Sequence, residues 1–182
     1  MFVSQHLKQK NIAEYLIYMW QVEDLIRANN LDIEKLKEGI INQYQVGDED
    51  KQRLTQWYED LIEMMRREDV IEKGHLQINK NVLISLTELH QNLLRSPKEP
   101  FYGTSYYKAL PYIVELRAKG GKTDEPELET CFEALYGMML LRLSKKEISE
   151  ATSKAIAEIS KFISLLANYY EKEKNGELKL DE

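Results

Sequence analysis

A three-to-four-residue spacing of apolar side chains is the feature that most constrains how this chain can fold. The clearest stripe follows positions i, i+3, i+4, i+7, i+8 and i+11 and consists of Leu54, Trp57, Tyr58, Leu61, Ile62 and Met65. This spacing places all its members on one face of an α-helix. Similar stripes recur along the chain, and no segment has the sustained alternation of a half-buried strand. The sequence therefore predicts an all-α fold.

Capping and turn residues divide these stripes into six or seven helices. The predicted helices cover roughly 4–28 or 11–28, 33–44, 50–73, 78–95, 105–119, a sixth that is capped by Thr123 or Asp124, and 145–174. Short connections favour antiparallel neighbours in a bundle. Residues Lys98 to Gly103 are predicted to form a loop, and Pro111 falls either inside the fifth helix or near its start. The charged segment 171–182 is predicted to be a frayed tail.

Length and composition favour one domain that spans residues 1–182. A chain of 182 residues is within the usual range of one domain. With 43% hydrophobic and 31% charged residues, its composition is globular. The longest uncharged apolar stretches, 134–141 and 162–170, are far shorter than the roughly 20 residues of a membrane-spanning helix. The first residues also lack the apolar core of a signal peptide. We expect a cytoplasmic protein with no membrane partner.

Charge and cysteine content exclude further classes of function. The net charge is −6, and the few Lys/Arg pairs are flanked by acidic residues, so we expect no nucleic-acid partner. Cys131 is the single cysteine. It permits no intramolecular disulfide and no cysteine-based zinc site, which is typical of a reducing compartment.

The segment 10–28 resembles the opening of a known family. Its most specific part is the string Tyr-Met-Trp-Gln-Val-Glu-Asp-Leu-Ile-Arg at positions 18–27. This string is similar to a family of Bacteroidetes proteins that is catalogued only as a domain of unknown function, and the chain length and the region 101–103 are also similar. The resemblance implies a bacterial, cytoplasmic, all-helical protein. It transfers no activity and no functional residue.

A polar set on the first long helix is the first candidate site. It consists of Glu14, Tyr18, Glu23, Asp24 and Arg27. Both Glu23 and Asp24 are spaced to reach the Arg27 guanidinium on one helix face. One interpretation is a ligand pocket in which Glu14 acts as a base or ligand-binding acid and Arg27 binds an anion. The other is a structural ion-pair network between helices.

An aromatic set in the predicted loop and the fifth helix is the second candidate. It consists of Phe101, Tyr102, Tyr106, Tyr107 and Tyr112. Tyrosine combines a large apolar ring with a polar tip, which suits interfaces and ligand pockets. Three interpretations stay open: a loop packed over the core, a surface for a partner or for self-association, and a small-ligand pocket.

Other reactive residues predict no catalytic, cofactor or metal site. His90 lies on an apolar stripe, as a core histidine would, and Cys131 has the same pattern on the sixth helix. Glu72 and His75 have the Glu-x-x-His spacing of di-iron bundles, but Gly74 interrupts the helix and no second motif exists. No glycine pattern for binding phosphate occurs.

These observations favour a non-catalytic helical protein that acts by self-association or by binding another protein. The aromatic set and a second, small-residue face on the sixth helix, at Thr130, Ala134 and Gly137, favour this prediction. The alternative is a small-molecule binding or sensing domain with its polar pocket on the first helix. An enzyme that uses carboxylate acid–base chemistry is a third possibility.

Overall fold

The amphipathic stripes form eight α-helices within residues 1–121 and 124–180, the parts of the chain that this computed structural model describes. The helices are α1 (Phe2–Lys10), α2 (Ile12–Ala28), α3 (Ile33–Gly39), α4 (Asp48–Arg67), α5 (Gln77–Arg95), α6 (Pro100–Gly120), α7 (Glu127–Leu143) and α8 (Glu150–Lys174). A 3₁₀ turn, Ile41–Gln43, follows α3. The predicted all-α fold is confirmed.

The helix count exceeds the predicted six or seven because a separate short helix precedes Asn11. The Asn11 backbone is extended, and its side-chain oxygen accepts hydrogen bonds from the backbone N–H groups of Ala13 and Glu14, at 3.1 and 3.2 Å. A side-chain cap of this kind begins a new helix. The Asn11 backbone N–H donates a hydrogen bond to the Leu7 carbonyl, which ends α1. The two starting points predicted for the first helix, 4 and 11, therefore lie within two residues of the starts of two separate helices.

Several predicted boundaries differ from the structure. The predicted loop from Lys98 to Gly103 is wrong for its last four residues, because α6 begins at Pro100, and proline is favoured in a first helical turn. Pro111 lies inside α6. The last helix begins at Glu150, where the Ser149 hydroxyl accepts a hydrogen bond from the Thr152 N–H, and not at 145.

Two further ends are shorter than predicted. Helix α3 ends at Gly39 and not at 44, and α4 ends at Arg67 and not at 73. The connection 68–76 that follows α4 is consequently longer than expected and lies against α2. Of the two predicted caps for α7, Thr123 lies outside the described residues, and Asp124 precedes the helix start by three residues.

Helix α2 is central, and most of its residues are apolar. It packs against α1, α5, α7 and α8, and Ile12, Leu16 and Ile26 are completely buried. Burial of each such side chain stabilises the fold by roughly 1.5–3 kcal/mol. Because α2 is enclosed on most sides, a polar group on one of its buried faces must find a partner inside the protein.

The predicted frayed tail begins inside α8, which continues to Lys174. Beyond this helix, Leu178 and Leu180 are partly buried against the core. Residues 181 and 182 lie outside the described part of the chain. Among the described helices, none combines the length and the apolarity that crossing a bilayer requires.

Candidate functional site

A buried carboxylate on α2 organises the candidate site. Glu23 is fully buried, and its Oε2 lies 2.6 Å from Nδ1 of His75. Its Oε1 accepts hydrogen bonds from the Leu76 backbone N–H at 2.9 Å and from Nδ2 of Asn79 at 2.7 Å. The sequence-based prediction that Glu23 pairs with Arg27 is therefore wrong. Glu23 instead fastens the segment 75–79 to α2, because a carboxylate that is removed from water needs several donors.

Arg27 extends this network along the connection 68–76. Its Nη1 pairs with Oδ1 of Asp24 at 2.8 Å, and Nη2 donates to the carbonyl oxygens of Val70, at 3.1 Å, and Gly74. Gly74 has a positive φ of 88°, a conformation that costs glycine little. The second Asp24 oxygen accepts a hydrogen bond from the Tyr136 hydroxyl at 2.6 Å. The guanidinium is therefore used to hold a loop in place.

The His75 ring lies flat on Trp20. Their ring centroids are 4.1 Å apart and their planes differ by 11°. The edges of Phe132 and Tyr136 pack against the same indole, at 6.2 and 6.0 Å. Because Nδ1 of His75 faces an acceptor, that nitrogen carries the proton when Glu23 is ionised. No described residue forms a hydrogen bond with the other ring nitrogen, Nε2.

A cleft of about 470 Å³ opens beside this stack and is called the Trp20 cleft below. Its lining residues are Trp20, His75, Asn79, Lys80, Leu83, Ile84, Thr87, Glu88, Pro126 and Glu129. Most of this wall is apolar, with charged groups at Lys80, Glu88 and Glu129. The volume is within the range of small-molecule sites, about 300–1,000 Å³.

Two buried polar atoms in the cleft wall lack a hydrogen-bond partner among the described residues: Nε1 of Trp20 and Oδ1 of Asn79. Trp20 is 3% exposed and Asn79 is 1% exposed. An unpaired buried donor or acceptor costs roughly 1–3 kcal/mol, and native proteins contain few of them. Both atoms are closed off from solvent, and both belong to residues that line the same cleft.

The structure brings together only part of the predicted polar pocket. Glu23, Asp24 and Arg27 belong to the network described above. Glu14 is exposed, accepts a hydrogen bond from the Asn11 side chain at 3.0 Å and lines a separate groove between α2, α7 and α8. Tyr18 is half-buried, and burial, together with Tyr44, raises its pKa to about 12. Neither residue lines the Trp20 cleft.

The predicted aromatic set is divided between core and surface. Tyr102 and Tyr106 are buried, with the Tyr102 hydroxyl 2.6 Å from Nδ1 of His90 and the Tyr106 hydroxyl donating to Glu127 at 2.8 Å. Phe101 and Tyr107 are 82% and 65% exposed, and Tyr112 is half-buried. We call the buried group the aromatic centre, and its members are His90, Tyr102, Tyr106, Phe162 and Tyr169.

Two other groups with reactive side chains do not form a site. Cys131 is fully buried, and burial raises the pKa of its thiol, so it stays protonated. Glu125, Glu129 and Glu133 bring one carboxylate oxygen each within 4.8 Å of the others. Clusters of acidic groups are common without an ion, and each of these residues has further interactions.

Sequence reasoning missed Trp20, His75 and Asn79 as site residues. The available signal was the i, i+3 spacing of Trp20 and Glu23, which puts them on one face of α2. The Glu72–His75 spacing drew attention to the right histidine, but its partner is a carboxylate that lies 52 residues away in the sequence.

The fold and this geometry define an all-helical protein with a buried carboxylate network beside an apolar cleft. The chain belongs to the family described as Domain of unknown function (DUF4924), whose model matches residues 1–177. This confirms the family type that the segment 18–27 suggested, and the matched range includes every residue of the Trp20 cleft. No curated protein and no solved structure matches the chain significantly.

Proposed function

We propose that this protein binds a small organic molecule in the Trp20 cleft and acts as a binding or sensing protein. The observation that carries the proposal is the largely apolar Trp20 cleft of about 470 Å³, whose wall is held in place by the buried Glu23 network. Apolar clefts of this volume with a few fixed polar groups are typical of small-molecule sites.

The rigidity of the wall supports the same proposal. Glu23 holds His75 and Asn79 through hydrogen bonds of 2.6 and 2.7 Å, and Trp20 is enclosed by three aromatic neighbours. A site that is already ordered loses little conformational entropy when a ligand binds. The buried network on α2 therefore serves as the support of the site, and the ligand contacts its outer edge.

The test blocks the cleft from an exposed position. Ile84 lines the cleft on α5 and is 51% exposed, so Ile84→Trp fills the cleft without disturbing the core. Ile78→Trp is the matched control, since Ile78 is also an exposed α5 residue but does not line the cleft. Each protein is incubated with a low-molecular-weight cell extract, and native mass spectrometry measures the retained mass.

We expect wild type and Ile78→Trp to retain the same defined extra mass and Ile84→Trp to lose it. Retention by Ile84→Trp, or no retained mass in any of the three proteins, would contradict the proposal. The helical content of each variant, measured by circular dichroism, checks that the fold is unchanged.

Self-association is the second candidate function, and a specific surface favours it. At the end of α7, Leu140 and Leu143 are 41% and 65% exposed. They adjoin a groove of about 610 Å³ whose lining includes Met138 and Met139. Exposed apolar surface of this kind is typical of protein contacts. Light scattering of wild type and of Leu143→Ser tests self-association through this surface. If both proteins have the same oligomeric mass, the result counts against this surface.

The remaining predictions about the protein are part of the same proposal. We infer a single domain in a bacterial, Bacteroidetes cytoplasm, which is consistent with one buried cysteine and a net charge of −6. A homo-oligomer or a protein partner, and the absence of nucleic-acid and membrane partners, stay predictions from the sequence.

A further inference from the structure

We propose that a second copy of this chain covers the groove between α2, α7 and α8, called the α7–α8 groove below, and that a two-fold axis relates the two copies. This inference rests on self-association, the second candidate function, and specifies its partner and its geometry. The apolar floor of the groove, the exposed leucines beside it and two charges in its wall carry the inference.

The α7–α8 groove has an apolar floor that is left open at the surface. Its volume is about 610 Å³, and its floor consists of the buried side chains of Met138, Ile156 and Ile163. Within the described part of the chain, no buried polar atom that lacks a hydrogen-bond partner belongs to a residue of this groove. An occupant therefore gains free energy here mainly by burying apolar surface.

The exposed leucines at the end of α7 have the character of such an occupant. Leu143 is 65% exposed and lines the groove, and Leu140 is 41% exposed. The two residues lie one turn apart on the same side of the helix. Burial of each would contribute up to roughly 1.5–3 kcal/mol. One patch of surface therefore carries both a protruding apolar group and an apolar hollow.

Two opposite charges belong to the same patch. Arg142 of α7 and Glu14 of α2 both line the groove, and both are exposed. Neither forms an ion pair with a described residue, and Glu14 only accepts a hydrogen bond from Asn11. In a two-fold contact, Arg142 of each copy can meet Glu14 of the other copy, which gives two ion pairs for one interface.

This pairing of features favours a second copy over a different protein. A two-fold contact requires both halves of every match on one patch, because a residue that meets another across the axis is itself met in the same way. A contact with a different protein requires only one half on this chain. The α7–α8 groove provides both halves twice, once with Leu143 and the hollow and once with Arg142 and Glu14.

Charge reversal tests this arrangement. Arg142→Glu and Glu14→Arg each place like charges opposite one another, twice in each dimer. We expect either variant to raise the dissociation constant of the dimer at least about tenfold, measured by analytical ultracentrifugation. Arg95→Glu is the matched control, since Arg95 is also an exposed arginine in the last turn of a helix but lies outside the groove. Arg95→Glu should dimerise as wild type does.

Mixing the two reversed variants tests the predicted partner of each charge. In a mixed dimer, both contacts join a carboxylate of Arg142→Glu to a guanidinium of Glu14→Arg. We therefore expect an equimolar mixture to form a heterodimer with nearly the wild-type dissociation constant, and native mass spectrometry identifies it because the two variants differ in mass. Circular dichroism checks that each variant is folded. Folded variants that fail to form this heterodimer would overturn the inference.

Leu143→Ser separates failure of the inference from failure of self-association. If Leu143→Ser dissociates the dimer but charge reversal weakens it no more than Arg95→Glu does, the surface is an interface and only the two-fold arrangement is wrong. If Leu143→Ser and both charge variants keep the mass of wild type, the surface and the arrangement are both wrong. A wild type that is monomeric at every concentration tested overturns both as well.

Discussion

The aromatic centre and the Trp20 cleft both place polar groups among buried rings, but they differ in how these groups are paired. In the aromatic centre, the hydroxyl groups of Tyr102, Tyr106 and Tyr169 pair with His90, Glu127 and Glu99. In the cleft wall, Trp20 Nε1 and Asn79 Oδ1 have no partner among the described residues. The first region is internally complete, and the second is not.

This difference shows why residue type alone is a poor guide to a site. Tyrosine clusters are typical of interfaces, yet Tyr102 and Tyr106 have their polar tips bound inside the protein, as a structural core requires. Trp20 belongs to a mostly apolar stretch whose composition is typical of a buried core. It nevertheless carries an unpaired donor and lines a cleft. Whether a polar atom is paired within the protein separates the two regions better than composition does.

The largest expected effect tests whether Glu23 supports the cleft. Glu23→Ala leaves His75, the Leu76 N–H and Asn79 without their buried acceptor. We expect the free energy of unfolding to fall by about 3 kcal/mol, measured by urea denaturation. Asp24→Ala is the control, since its side chain is 51% exposed, and should cost about 1 kcal/mol or less. Equal losses in the two variants would contradict the assigned role of Glu23.

A smaller loss of stability is expected when one hydrogen bond of the aromatic centre is removed. Tyr102→Phe removes only the hydroxyl and leaves His90 Nδ1 unpaired in a buried site. We expect a loss of about 1–2 kcal/mol in urea denaturation. Tyr107→Phe should change stability very little, because Tyr107 is 65% exposed. If Tyr102→Phe were neutral, the aromatic centre would not differ from the cleft in the way we describe.

The pH dependence of stability provides a weaker test of the same region. Burial lowers the pKa of His90 below its usual 6.5 because the charged ring is disfavoured away from water, although Glu127 opposes this shift. The unfolded chain therefore takes up this proton first as the pH falls. The His90 contribution to stability is present above about pH 6.5 and is lost as the pH falls through the folded pKa. Wild type should lose more stability than His90→Gln between about pH 7.5 and about pH 5 in urea denaturation.

The smallest effect is expected at the exposed members of the predicted aromatic set. Replacing Phe101 and Tyr107 by Ser should change the free energy of unfolding by no more than about 0.5 kcal/mol each, because both side chains are largely exposed. We expect the oligomeric mass from light scattering to stay unchanged. A shift to a smaller mass would restore these residues as an association surface and would sharpen their contrast with buried Tyr106.

The sequence by itself determined the all-α class and most of the helix interiors. The stripe from Leu54 to Met65 lies in α4 with its larger part buried, and α5 begins within one residue of its predicted start. These features follow from the 3.6-residue period, which depends only on local spacing. Helix ends were less predictable, since Asn11 and Ser149 act as caps while the similar Ser144 does not begin a helix.

Only the tertiary structure decided the partners of the polar groups. Local spacing correctly predicted the Asp24–Arg27 pair but assigned Glu23 to the same arginine. Glu23 instead lies on the buried side of α2, where it meets His75 and Asn79, more than 50 residues away in the sequence. The aromatic set was divided by the same cause, because the packing of α6 against α8 turned Tyr102 inward and left Tyr107 in solvent. Helical period determines which residues share a face, but the neighbouring helices determine which face is buried and what a buried polar atom can reach.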